Sequence, residues 1–206
     1  MTAIQTMDGF SLEARWDDAA VPANSIAVLC HPHPLEDGTM EAPLLRTVTT
    51  SLNAAGIHVL RFNFRGVGSS EGTWDQGIGE VHDVAAAVEA AQLAFPTMPL
   101  GIAGWSFGAT TSLAWQLETG SALPWVGIAP GIQPYRGSTV PDVVGLAPAD
   151  RLIVFGDQDQ FASVESMKHF AAQAKARLEV LPGSDHFFHF RQETVGSLVA
   201  AHLKAD

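Results

Sequence analysis

One rhythm constrains this chain more than any other feature. Short, uninterrupted apolar runs alternate with longer segments of helical period. The runs "SIAVLC" (25–30), "IHVLRFNF" (57–64), "LGIAGW" (100–105), "WVGIAP" (125–130), "RLIVFG" (151–156) and "RLEVLP" (177–182) have strand length. Several lack an alternating polar face, as strands covered on both sides do. Between them lie "APLLRTVTTSLNAAG" (42–56), "GEVHDVAAAVEAAQLAF" (79–95), "FGATTSLAWQLE" (107–118) and "VESMKHFAAQA" (164–174), and "RQETVGSLVAAHLK" (191–204) follows the last run. Their spacing is helical, and Gly56, Pro96 and Gly120 mark where the first three stop. Near the N-terminus "FSLEARW" alternates like a half-exposed strand. Strands separated by helices imply right-handed crossovers, a mostly parallel sheet and helices on both faces. The expectation is an α/β fold in a single domain over residues 1–206. The least patterned stretch, 131–150, is too short for a second domain, so any lid is small.

Charge narrows the partners. Lys and Arg total 11 against 22 Asp and Glu, a formal net charge of -11. Such a surface repels phosphate backbones and anionic lipid, so neither nucleic acid nor membrane is an expected partner. No stretch approaches the ~18 uninterrupted apolar residues of a spanning helix. Cys30 is the only cysteine, which excludes an internal disulfide and suits a reducing compartment. The first residues lack the basic start and apolar run of a secretory signal. The expectation is a soluble, cytoplasmic protein.

The chemistry concentrates at "GWSFG", Gly104 to Gly108. A Gly-x-Ser-x-Gly pattern alone is weak. Here it ends an apolar strand and opens a helix, where a strand-to-helix elbow would lift the Ser106 hydroxyl above the sheet edge. The same turn aims the first helical N–H groups at whatever binds there. The competing reading is a tight turn with Ser106 as a helix N-cap. A serine hydroxyl needs a base. His186 follows the last strand on the same sheet edge, where open α/β sheets bind ligands. His189 is the lesser candidate and falls at the start of the final helix. His58, His82, His169 and His202 lie within elements and read as structural or solvated. "GDQD" offers two carboxylates, Asp157 and Asp159, to orient the imidazole. Spacing alone does not separate them. The order serine, aspartate, histidine is the hydrolase order.

Taken together, "CHPHP" (30–34), "RFNFRGVGSSEG" (61–72), "GIGEVHD" (77–83), "GWSFG" (104–108), "GDQD" (156–159) and "DHFFH" (185–189) make the chain similar to the α/β-hydrolases. The resemblance is to small bacterial members without a large cap, related to esterases and dienelactone hydrolases. It implies a first antiparallel strand pair followed by parallel strands. It implies Ser106 as nucleophile, His186 as base and Asp159 as acid. It also implies an oxyanion hole from the Phe107 N–H and one N–H of the loop after Cys30. Pro32 and Pro34 have none, which leaves His33 or Leu35, and the resemblance favours His33. The family usually carries two adjacent glycines after its His-Pro-His-Pro. Here Glu36 and Asp37 precede Gly38, which puts an acidic loop near the site mouth.

The expected activity is cleavage of a small ester-like substrate (ester, thioester or lactone) through an acyl-enzyme, without a cofactor or metal. Leu35, Trp105, Phe107, Phe161 and Phe187 are candidates to line the pocket. Arg65 reads as a turn arginine bonded to backbone carbonyls. Glu80 and Asp83 read as first-turn carboxylates complementing a helix dipole. Three other readings compete. The first is a metal-dependent hydrolase in which His31 and His33 ligate zinc with His186 or His189. The second is a nucleotide-binding loop at "RGVGSSEG", which lacks the third glycine of the fingerprint. The third is a hydrolase fold that only binds a ligand. The substrate and the oligomeric state are not legible.

Overall fold

The computed structural model describes residues 2–205. Eight strands form one sheet: β1 (Thr2–Gln5), β2 (Ser11–Asp17), β3 (Ser25–Cys30), β4 (Ile57–Phe62), β5 (Leu100–Trp105), β6 (Trp125–Ile128), β7 (Arg151–Gly156) and β8 (Arg177–Leu181). Five helices join them: α1 (Pro43–Ala54), α2 (Glu80–Ala94), α3 (Phe107–Thr119), α4 (Val164–Gln173) and α5 (Gln192–Leu203). The strand order is β1-β2-β4-β3-β5-β6-β7-β8. The β1–β2 and β2–β4 pairs are antiparallel and all others parallel. This is the expected α/β-hydrolase sheet, with no large cap domain inserted.

The topology decides where a site can be. From β3 the chain crosses to β4 on one side. From β4 it crosses back past β3 to β5, and then continues in the same direction to β8. Right-handed crossovers therefore put α1 on one face and α2, α3 and α4 on the other. Helix α5 packs against α1, and α2 against α3. β3 and β5 stay paired to their C-terminal ends, and the connections that leave them run in opposite directions, which opens a crevice outside those ends. β3, β5 and β7 are buried along their whole length, which explains their unbroken apolar runs. The edge strand β8 is partly exposed.

The reading of the residues named every strand except β1. Only Ile4 of that strand is buried, so it carries no periodic signal. A short 3-10 turn at Pro34–Glu36 and another at Val143–Gly145 were also not foreseen. His189 does not begin the final helix. It lies in the turn before α5, its ring paired with Asp185. Among the described residues, no helix is long and apolar enough to cross a membrane.

Candidate active site

Ser106 links β5 to α3 with φ 53° and ψ −113°. A positive φ is rare for any residue with a Cβ and costs about 1–3 kcal/mol. The sequence makes room for it. A Cβ on Gly104 would collide with the backbone of Gly108 and Ala109, and one on Gly108 with the carbonyls of Cys30 and His31. The Ser106 N–H donates to the Ile128 carbonyl at 2.8 Å, which ties the elbow to β6. The Ser106 hydroxyl makes no capping hydrogen bond to α3. The Ser106 side chain therefore does not act as a helix cap.

His186 and Asp159 reach the same edge from the loops after β8 and β7. His186 Nδ1 lies 2.7 Å from Asp159 Oδ2, and both side chains are nearly inaccessible. The other Asp159 oxygen accepts the N–H groups of Phe161 and Ala162 at 2.8 and 3.1 Å. The carboxylate thus holds the imidazole by Nδ1 and fixes the orientation of its ring. The His186 carbonyl accepts Trp105 Nε1–H at 3.2 Å, and its N–H donates to Gln160 at 3.3 Å. Among the described residues no hydrogen bond joins His186 to the Ser106 hydroxyl. Asp157 is turned elsewhere and accepts the Gly183 N–H that closes the turn after β8. The two aspartates left open by spacing thus have different places.

Ser106, Asp159 and His186 line one cavity of about 650 Å³. Its walls are the loops after β3, β6, β7 and β8. Trp105, Phe107, Phe161, Phe187 and His33 line it as well, but Leu35 does not. The 3-10 turn points the Leu35 side chain to solvent, where it is 53% exposed. The Leu35 N–H is also spoken for, donating to His33 Nδ1 at 3.2 Å. The exposed side chain departs from the expectation of Leu35 as a pocket residue, and the bonded N–H disfavours Leu35 as the alternative to His33. The N–H groups of His33 and Phe107 make no hydrogen bond among the described residues.

His31 and His33 are not a metal pair. Both nitrogens of His31 are used: Nδ1 lies 2.7 Å from the Pro32 carbonyl and Nε2 accepts the Phe64 N–H at 3.0 Å. Complete burial pushes the His31 imidazole down to about 4, so it stays neutral. His33 is likewise held below the ordinary imidazole range, first by burial. It packs among Trp74, Phe107 and Tyr135. No group of three His, Cys, Asp or Glu side chains among the described residues has metal-binding geometry. Burial also pushes the Cys30 thiol far up, away from the thiolate a nucleophile requires.

Two further expectations change. Arg65 does not bond backbone carbonyls. Its guanidinium pairs with Asp83 at 2.7 Å and Asp8 at 2.9 Å, which offsets the cost of burying its charge. Asp83 is therefore an ion-pair partner more than a dipole complement. Glu80 accepts the N–H groups of Asp75 and Gly77 at 2.8 Å. The "RGVGSSEG" loop is no phosphate cradle: the Ser70 hydroxyl bonds the Asn63 carbonyl and the Glu71 N–H bonds Ser11. Not foreseen was the engagement of Glu36 with Tyr135 and Arg136 across the mouth of the cavity. The acidic loop was visible, but its partners lie a hundred residues away.

Known proteins share this fold. Residues 39–148 match the family described as serine aminopeptidase, S33. An uncharacterized protein of Rickettsia prowazekii is 30% identical over 200 residues, covering 93% of this chain and 84% of that protein. An α/β serine hydrolase homologue from Coxiella burnetii superposes with a TM-score of 0.86 at 33% identity, over 98% of this chain and 96% of that one. A serine hydrolase without a lid from Xanthomonas campestris does so with a TM-score of 0.83 at 28% identity, over 100% and 95%.

Proposed function

The chain belongs to the serine aminopeptidase S33 family of α/β serine hydrolases, and on that premise we propose that it cleaves a small ester-like substrate through an acyl-enzyme. Ser106 attacks the carbonyl while His186 Nε2 takes its proton, and Asp159 holds the imidazole in the tautomer that can do so. The Ser106–His186 hydrogen bond forms in the substrate complex, as such bonds often tighten only there. The oxyanion is received by the N–H groups of Phe107 and His33, with the N-terminus of α3 behind the first. Each donor is worth about 2.7–4 kcal/mol of barrier. His186 then protonates the leaving group, and water repeats the sequence to free the acid. No metal or cofactor enters, and the buried free thiol of Cys30 suits a cytoplasmic setting.

The observation that carries this reading is the 2.7 Å His186–Asp159 pair in the cavity lined by the strained, uncapped Ser106. The test is labelling with a fluorophosphonate, followed by a panel of p-nitrophenyl esters, thioesters, a lactone and an aminoacyl p-nitroanilide. The expected result is one adduct on Ser106, ester turnover that ignores chelator, and loss of both in Ser106→Ala. Faster cleavage of the anilide than of every ester would replace the esterase reading with a peptidase one. Absence of both labelling and turnover would leave a binding protein. Inhibition by chelator alone would point to metal.

A further inference from the structure

The segment after β6, unpatterned in the sequence, is pinned at both ends. The Gly131 carbonyl accepts the Thr110 hydroxyl at 2.8 Å, and the Thr139 N–H donates to the Gln76 carbonyl at 2.8 Å. Between these anchors the chain makes a tight turn at 135–138. The Ser138 N–H bonds the Tyr135 carbonyl at 2.9 Å, and the Tyr135 N–H bonds the Ser138 hydroxyl at 3.1 Å. The turn carries Tyr135 to the cavity, and its ring touches two opposing walls. On one side it meets Phe161 edge-on at 5.7 Å, beside the Asp159–His186 pair. On the other it meets His33 edge-on at 5.6 Å. Its hydroxyl lies 3.3 Å from Glu36 Oε1, and the same oxygen accepts Arg136 Nε–H at 2.8 Å.

Tyr135 is 41% exposed, so one part of the ring faces solvent while the rest lines the cavity. It is the single residue of its segment with ring contacts to both walls among the described residues. A substrate with its carbonyl at Ser106 shares the cavity with this ring. We propose that Tyr135, steadied by Glu36 and Arg136, is the specificity-determining residue of this site, admitting compact neutral acyl groups and rejecting bulky ones. The proposal deepens the hydrolase reading and rests on it. Glu36 and Arg136 act through Tyr135 as positioning residues. Their ion pair is exposed, so losing it loosens the ring without removing it.

The experiment compares the intact chain with Tyr135→Ala, Tyr135→Phe, Tyr135→Trp and Glu36→Gln. Each is assayed with p-nitrophenyl acetate and p-nitrophenyl diphenylacetate, and each is labelled with a small and a bulky fluorophosphonate. Tyr135→Ala is expected to raise the bulky-to-small ratio of kcat/KM about tenfold, the scale of discrimination that pocket volume supplies. Tyr135→Phe and Glu36→Gln shift it in the same direction by about threefold, and Tyr135→Trp shifts it the opposite way. Labelling ratios should follow the same order. Ratios that stay constant while Ser106 still labels and turns over would overturn the role of Tyr135 alone. A fall for both esters in proportion would do the same, since it marks a structural role. An intact chain that neither labels nor hydrolyses would remove the parent reading and this one with it.

Discussion

His31 offers a test of how the loop after β3 is held. Its ring bridges the Pro32 carbonyl and the Phe64 N–H inside the protein, and burial pushes its pKa from 6.5 down to about 4. Between these values the unfolded chain takes up a proton that the folded chain refuses. Stability therefore falls as pH drops from about 6.5 toward 4, and is fully restored above that window. At about 1.4 kcal/mol per pH unit, the displacement comes to about 3 kcal/mol. His31→Gln removes the titration and at least one of the two hydrogen bonds. Other groups move with pH as well: burial raises Glu80 and Asp83, which acts in the opposite direction. Both proteins share those groups, so the difference between them isolates His31. Urea unfolding followed by tryptophan fluorescence gives the free energies by linear extrapolation. The parent should exceed the variant at pH 7, and the gap should shrink by about 3 kcal/mol by pH 4. Curves that run parallel from pH 7 to 4 would falsify the claim that His31 is buried neutral.

The elbow and the loop after β7 make three more predictions. Ser106→Gly should abolish turnover yet stabilise the fold by about 1 kcal/mol, a rise of a few degrees in Tm by calorimetry, because it relieves a Cβ at φ 53°. Gly108→Ala should destabilise by about 1–3 kcal/mol in the same assay, since its Cβ meets the carbonyls of Cys30 and His31. It should also slow turnover, because those carbonyls belong to the loop carrying His33. Asp159→Asn should reduce kcat by about 10⁴ through the wrong imidazole tautomer, with stopped-flow or endpoint ester assays reading the loss.

What was legible in the chain was what local pattern can encode. Unbroken apolar runs marked the buried strands because those strands are covered on both faces, and glycines marked two helix ends, where the backbone takes a positive φ, and the elbow, where a Cβ would collide. Ser106 and His186 could be singled out because each stands at the end of a strand, and strand order places those ends on one rim. Asp157 and Asp159 could not be told apart by spacing. Both follow β7 within three residues, and the difference between them is whether the carboxylate meets an imidazole or a turn amide. β1 was missed for the converse reason. Four residues with one buried side chain offer no period to read, and β2 alone holds it to the sheet.

The segment "RFNFRG" shows the limit most clearly. Its residues alternate: Phe62 and Phe64 are buried in the core, the latter against Phe107, while Arg61, Asn63 and Arg65 carry polar groups. None of these three lines the cavity, yet two of them hold a residue of the loop that does. Arg61 Nη1 donates to the Met40 carbonyl at 2.7 Å, and Asn63 Oδ1 accepts the Met40 N–H at 2.8 Å. Asp17 balances Arg61, and Glu13 fixes the Asn63 amide. Arg65 holds α2 and the β1–β2 turn through Asp83 and Asp8. Burying a guanidinium is costly; Arg61 and Arg65 meet carboxylates, whereas the buried Arg151 meets the Gln116 amide oxygen and backbone carbonyls. The sequence cannot say which partner each arginine takes, because Asp8, Asp17 and Asp83 are brought there only by strand order. The same applies to Glu36 and Tyr135, which meet across the cavity from the loops after β3 and β6. In this fold the side chains that meet at the cavity follow strand ends, and the contacts that hold the loops around them are written in residues whose partners only the sheet topology selects.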